Sequence, residues 1–277
     1  MLSRIATSGI TATAARTFTT SAAVAAANMP KDFNQIAKSL EEHKDSAGNL
    51  PLLRFGDVSD PAVIVLQEWW GINGDVKDHA RQIAARGYEA VIPDLYRGKS
   101  TLEVAEAEHL MNDLDFAKAI TDLDALIKHV RETKGCAGVN RPVVLTGFCM
   151  GSILALATAA KAENRVDGVV GFYGVPSADV ADLTQIKAPV QAHFGVKDPF
   201  DISDPKASAR LAVMLAASGV EHEIFNYEEQ GHGFLNSSEW YAGMRPILGA
   251  PPTDPTDIEL AWSRFFAFVD KVTNKEK

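Results

Sequence analysis

From residue 50 onward, short apolar runs alternate with longer amphipathic ones. PAVIVLQEWW (61–70), YEAVIPDLY (88–96), RPVVLTGFC (141–149), VDGVVGFYG (166–174) and APVQAHFGV (188–196) are rich in Val and Ile and bounded by turn residues, which predicts buried strands. HEIFNYEE (222–229) predicts one more. Between them, GDVKDHARQIAARG (74–87), the stretch 101–134, GSILALATAAKA (151–162) and DPKASARLAVMLAASG (204–219) carry helical spacing and helix-forming residues. A last helix is expected over 257–272.

Strands alternating with helices predict an α/β fold, with a mostly parallel central sheet and helices on both faces. In such sheets ligands bind at the carboxyl ends of the strands, so the loops that follow strands are the places to look for chemistry. No internal repeat or linker divides residues 34–277, which are expected to form a single domain. GMRPILGAPPTDPTD (243–257) is Pro-rich and predicts a surface excursion or a pocket wall.

The first 33 residues are a different material. They are rich in Ala, Ser and Thr, carry Arg4 and Arg16, and have no acid before Asp32, which is the composition of an organelle transit segment. ARTFTTS resembles a mitochondrial processing site, so a mitochondrion is expected; a plastid, or a cytoplasmic protein with a disordered tail or a start at Met29, is the alternative. The 277-residue chain has a net charge of −9 and a pI near 5.3, which leaves no basic surface for nucleic acid. No apolar run is long enough to cross a bilayer. Two cysteines, Cys136 and Cys149, make no disulfide framework. Cys136, in KGCAGVN, is expected to be structural.

Cys149 is different because of its setting. In VVLTGFCMGSILALA an apolar strand runs into Gly147, Cys149 follows two residues later, Gly151 two after that, and a helix begins at once. That is the context of a nucleophile elbow, a strand-to-helix turn that lifts the central side chain into a cleft. The helix N-terminus favours a thiolate and offers the Met150 N–H to a developing oxyanion. The competing reading is a small buried thiol. Asp198 in GVKDPF and His232 in GHGF each lie just past a predicted strand, and the chain order nucleophile, acid, histidine is that of α/β-hydrolases. Asp201 and Asp204 are rival acids, and His193 and His222 poorer bases. Ser152 lies one residue past the second glycine, on the helix, and is set aside. The histidines and acids show no metal-ligand spacing, and no cofactor is expected.

QEWWGIN, PDLY, GFCMGS, GVKD and GHGF, in this order, closely resemble the dienelactone hydrolase family, also called carboxymethylenebutenolidases. The resemblance implies an α/β-hydrolase fold and a cysteine nucleophile. It implies that Glu68 holds or removes the thiol proton, and that the Trp69 N–H joins that of Met150 in the oxyanion hole. Family members acting on dienelactone hold the substrate carboxylate with two arginines, one shortly after PDLY and one shortly after the histidine. Arg97, directly after Tyr96, is the candidate for the first; Asn236 stands where the second would be. Arg245 in the late loop is a further candidate, with a solvated charge as the alternative. Trp69, Trp70, Tyr173, Trp240 and Tyr241 are candidate pocket aromatics, and Tyr96 and Trp240 are expected to touch substrate.

These readings point to hydrolysis of a small-molecule ester or lactone through a thioester acyl-enzyme, by a monomer or homodimer. A thioesterase or other acyl hydrolase on the same fold, or a non-catalytic ligand-binding or redox-sensing relative, remains open.

Overall fold

A computed structural model of the chain describes residues 37, 40–133 and 141–274. The expected transit segment, residues 1–33, and Cys136 lie outside the described residues. All six predicted strands form: β3 (Ala62–Leu66), β4 (Glu89–Pro93), β5 (Val143–Phe148), β6 (Gly168–Phe172), β7 (Val190–Gly195) and β8 (His222–Tyr227). Two more precede them, β1 (His43–Ala47) and β2 (Leu50–Phe55). Their hairpin escapes sequence reading because β1 has no buried side chain and so shows no alternation of apolar and polar positions.

The eight strands lie in the order β1-β2-β4-β3-β5-β6-β7-β8. β1 pairs antiparallel with β2, and β2 with β4; the remaining pairings are parallel. β3, β4, β5, β6 and β7 are buried throughout, as strands covered on both faces must be.

The helices are α1 (Gly74–Ala84), α2 (Val104–Asp113), α3 (Phe116–Glu132), α4 (Met150–Lys161), α5 (Pro205–Ser218), α6 (Glu239–Met244) and α7 (Pro255–Thr273). The predicted 101–134 helix is two helices. Leu114 turns extended, and Asp115 starts α3 by accepting the Lys118 N–H. Ala62, Ile64 and Leu66 of β3 face α3, α4 and α5, whereas Val63 and Val65 face α1 and α7. This period of two, apolar on both faces, places one core on each side of the sheet. Among the described residues no helix is long and apolar enough to cross a membrane.

Candidate active site

The parallel register sets Leu66 beside Gly147, Phe148 beside Phe172, and Gly195 beside Tyr227, so the loops after these strands open on one edge of the sheet. Cys149 is the single residue between β5 and α4, at φ 54° and ψ −117°. This backbone is strained for any residue with a Cβ, at about 1–3 kcal/mol. The turn is locked from both sides. Cys149 N–H donates to Phe172 O at 3.0 Å, and its carbonyl accepts the Ser152 N–H at 3.0 Å. A Cβ on Gly147 would run into the Gly151 backbone, and one on Gly151 into the carbonyls of Leu66 and Gln67. The first turn of α4 is thereby pressed against the end of β3, just ahead of Glu68 and Trp69 in the chain. Met150 opens the helix, so its N–H has no intrahelical acceptor. Ser152 is turned away from this edge, and its hydroxyl donates to Gly174 O at 2.7 Å.

Asp198 and His232 come from the loops after β7 and β8, which clasp each other where Lys197 N–H donates to Gln230 O. His232 Nδ1 lies 2.8 Å from Asp198 Oδ2. Asp198 Oδ1 accepts the Phe200 N–H at 3.0 Å. Ser203 Oγ sits 3.2 Å from the same ring nitrogen, and the rings of Phe200 and Tyr173 meet the imidazole edge to face. Burial by itself would drive His232 neutral. The negative charges of Cys149 and Asp198, with hydrogen bonds to both, outweigh it and hold the ring well above the usual histidine range. With Nδ1 given to Asp198, Nε2 is left for the sulfur.

Glu68 is buried at the same edge. Asn236 Nδ2 lies 3.0 and 3.1 Å from its two oxygens, and Tyr173 donates its hydroxyl to Oε1 at 3.2 Å. Burial raises the carboxyl above its ordinary range, against the lowering effects of the His232 charge and these hydrogen bonds. Behind Asn236 stands His79, buried in α1, with Nε2 3.1 Å from Asn236 Oδ1. Asp75 ties down the next residues, accepting from the N–H groups of Ser237 and Ser238 and from the Ser238 hydroxyl.

The structure thus brings Cys149, Asp198, His232, Glu68, Met150 and Trp69 to one edge. Tyr96 joins them, its hydroxyl donating to Met150 Sδ at 3.2 Å and feeling the Cys149 charge. Trp240 packs edge-on against Trp70, which in turn packs against Trp69. Arg97 is not brought to the site: its side chain leaves a left-handed turn to reach Asp122 Oδ2 at 2.7 Å and the Asn49 carbonyl. Asn236 is engaged by Glu68 and His79. Arg245 is buried rather than solvated; it donates to the carbonyls of Asn236 (2.6 Å) and Gly233 (3.2 Å) and lies over the Tyr241 ring.

The rival residues are accounted for elsewhere. Asp204 caps α5, and Asp201 is exposed. His193 bonds Tyr227 and Gln191 in the core, and His222 the carbonyl of Val220. Ser203, His79 and Asp75 were not singled out by sequence. For Tyr173 a signal existed, because it directly follows β6 beside the elbow. Among the described residues no group of acids, histidines and cysteines is arranged to hold a metal ion.

The sequence model of the dienelactone hydrolase family matches residues 53–273. The chain belongs to the dienelactone hydrolase family. It is therefore a hydrolase of this type, as the motifs around Glu68, Cys149, Asp198 and His232 led one to expect. A carboxymethylenebutenolidase of Pseudomonas putida is 29% identical over 188 residues, covering 64% of this chain and 76% of that protein. Protein usf of Aquifex pyrophilus is 30% identical over 213 residues, covering 75% and 87%. Among solved structures, a dienelactone hydrolase-like promiscuous phosphotriesterase from metagenomic libraries superposes with a TM-score of 0.69 at 19% identity, covering 84% of this chain and 98% of that one. This likeness establishes the α/β-hydrolase fold.

Proposed function

We propose that this dienelactone hydrolase family member cleaves small, uncharged esters or lactones through a thioester on Cys149. The observation that carries the reading is the Asp198–His232 pair at 2.8 Å, presented to a cysteine on a strained elbow. Cys149 sulfur attacks the acyl carbon, its proton having passed to His232 Nε2, directly or by way of Glu68. The carbonyl oxygen becomes an oxyanion facing the N–H groups of Met150 and Trp69. As the tetrahedral species collapses, the C–O bond breaks and the leaving oxygen takes a proton from His232 Nε2. Water then gives a proton to His232 and attacks the thioester, and the carboxylic product departs as the thiolate is restored. Asp198 fixes the ring with its proton on Nδ1 and supports its charged form.

The absence of an anionic preference rests on where the cations go. Arg97 is paired with Asp122, Asn236 donates to Glu68, and Arg245 is buried against carbonyls. Tyr96, Tyr173 and Tyr241, the other groups that feel the charge of Cys149, are neutral donors raised above the usual phenol range by burial first.

Turnover of a neutral chromogenic ester tests the reading. Cys149→Ala should abolish it and Cys149→Ser should leave a small residue; activity indifferent to both would overturn the nucleophile. Residues 1–33 support delivery to a mitochondrion, and their fusion to a fluorescent reporter that stayed outside mitochondria would reject that part of the proposal.

A further inference from the structure

The polar partner of Glu68 is an amide, and that amide has a partner of its own. Asn236 lies between Glu68, at 3.0 and 3.1 Å from Nδ2, and His79, whose Nε2 is 3.1 Å from Oδ1. Two arrangements satisfy such a chain. In one, His79 donates from Nε2 to Oδ1, and the Asn236 NH2 faces an ionised Glu68. In the other the amide is reversed: NH2 donates to a bare Nε2, and Oδ1 accepts a proton carried by Glu68.

The far side of His79 decides between them. Its ring is buried against Phe148 at 4.4 Å and Trp262 at 5.6 Å, and among the described residues Nδ1 has no hydrogen-bond partner. The first arrangement leaves only a lone pair on Nδ1 unsatisfied. The second would put an N–H there with no acceptor, and buried orphan donors are the rarer defect. Burial also keeps His79 neutral against the opposing charges of Asp75 and Asp78. We infer that His79 is a positioning residue that fixes the Asn236 amide with its NH2 toward Glu68, and so sets when that carboxyl can accept the Cys149 proton.

The inference rests on the role proposed for Glu68. The groups that face Glu68 are His232 after β8, Asp75 on α1, Tyr173 after β6, Tyr241 on α6 and Arg245 beyond it. Only the Asn236 link depends on His79. A reversed amide would present oxygen to oxygen, a contact that Glu68 tolerates only by holding a proton, and a protonated Glu68 takes none from sulfur.

The test is the pH profile of Cys149 alkylation by iodoacetamide and of single-turnover acylation by a neutral 4-nitrophenyl ester. Wild type should show an acid-side limb that Glu68→Gln removes. His79→Phe keeps the ring between Phe148 and Trp262 but lacks the donor, and should move the limb up by about one pH unit, with kcat falling several-fold below the midpoint and KM within roughly twofold. His79→Gln, whose amide nitrogen takes the place of Nε2, should restore it. A limb unmoved in His79→Phe but lost in Glu68→Gln would overturn the role of His79 alone. A limb and rate unchanged in Glu68→Gln would overturn the role of Glu68 and this inference with it. In wild type, nitrogen-15 shifts should show His79 neutral and protonated on Nε2; a proton on Nδ1 overturns the inference whether or not the variants fold.

Discussion

Replacing Asp198 by Asn keeps the shape of the side chain and removes its charge. Asp198 serves two donors, the Phe200 N–H at 3.0 Å through Oδ1 and His232 Nδ1 at 2.8 Å through Oδ2. Asn has one oxygen for the two. With the oxygen left on Phe200, its NH2 confronts Nδ1 and pushes the ring proton to Nε2, the nitrogen that must stay free to accept. With the oxygen on His232, two donors meet at Phe200. The first outcome loses a hydrogen bond to a charged ring, about 1.5–3 kcal/mol, which alone is about 10–150-fold in rate. Removal of an acid that steadies the imidazolium in a triad adds to this, up to a total of about 10⁴-fold. Ser203 Oγ, 3.2 Å from Nδ1, can accept in place of the lost carboxylate and keeps the loss toward the middle of that range.

The expected fall in kcat/KM for Asp198→Asn on a neutral 4-nitrophenyl ester is therefore about 10²–10³-fold, deepened by roughly tenfold more in the double variant with Ser203→Ala. The pH profile carries the sign. Against burial, which favours the neutral ring, His232 is raised by the charges of Cys149 and Asp198, so removing one of them must let the imidazolium lose its proton at lower pH. The alkaline limb of iodoacetamide reactivity should move down. A folded variant within threefold of wild type, or a limb that moves up, would refute the reasoning.

Gly151→Ala would force a methyl group against the carbonyls of Leu66 and Gln67; overpacking of about 1–3 kcal/mol should lower the melting temperature, and displacement of the Trp69 N–H should cost kcat at least about tenfold. Glu68→Gln should slow the acylation burst about a hundredfold in stopped-flow traces while deacylation, assigned to His232, stays within about threefold. Glu89→Ala strips the acid from between buried Arg54 and Arg141 at the far end of the sheet; a loss of about 3–5 kcal/mol, or roughly 6–20 °C by calorimetry, should leave kcat/KM of the folded enzyme unchanged. Arg97→Ala breaks an exposed pair with Asp122, worth at most about 1 kcal/mol, and should change kcat/KM by less than about threefold for neutral and anionic lactones alike.

What the sequence showed clearly was whatever is written in neighbouring residues. Six apolar runs became six strands, and the spacing of Gly147, Cys149 and Gly151 announced a turn whose close backbone approach leaves no room for other side chains at the two glycines. Asp198 and His232 were legible because strand ends are. Arg97 was misplaced for the opposite reason: adjacency to Tyr96 fixes where a backbone is, not where a side chain goes, and a left-handed turn at Arg97 swings it to Asp122. The β1–β2 hairpin has no buried face on its outer strand to mark it. His79, Asn236 and Glu68 are separated by 157 and 168 residues along their hydrogen bonds, so no local spacing could join them.

The long-range contacts also separate the tasks of two buried carboxylates at one site. Asp198 is engaged on both oxygens, by the His232 ring and by the Phe200 N–H. Such an acid is suited to orienting an imidazole. Glu68 meets only neutral donors, Asn236 and Tyr173, and burial raises it toward the range where a proton can be taken up and given back. An arginine at position 236 would have favoured the ionised form outright and offered a cation to substrate. The amide does neither. A dipole rather than a charge at this one position leaves Glu68 sensitive to pH and offers an anionic substrate no cation there, so the proposed substrate class and the proposed role of His79 rest on the same residue.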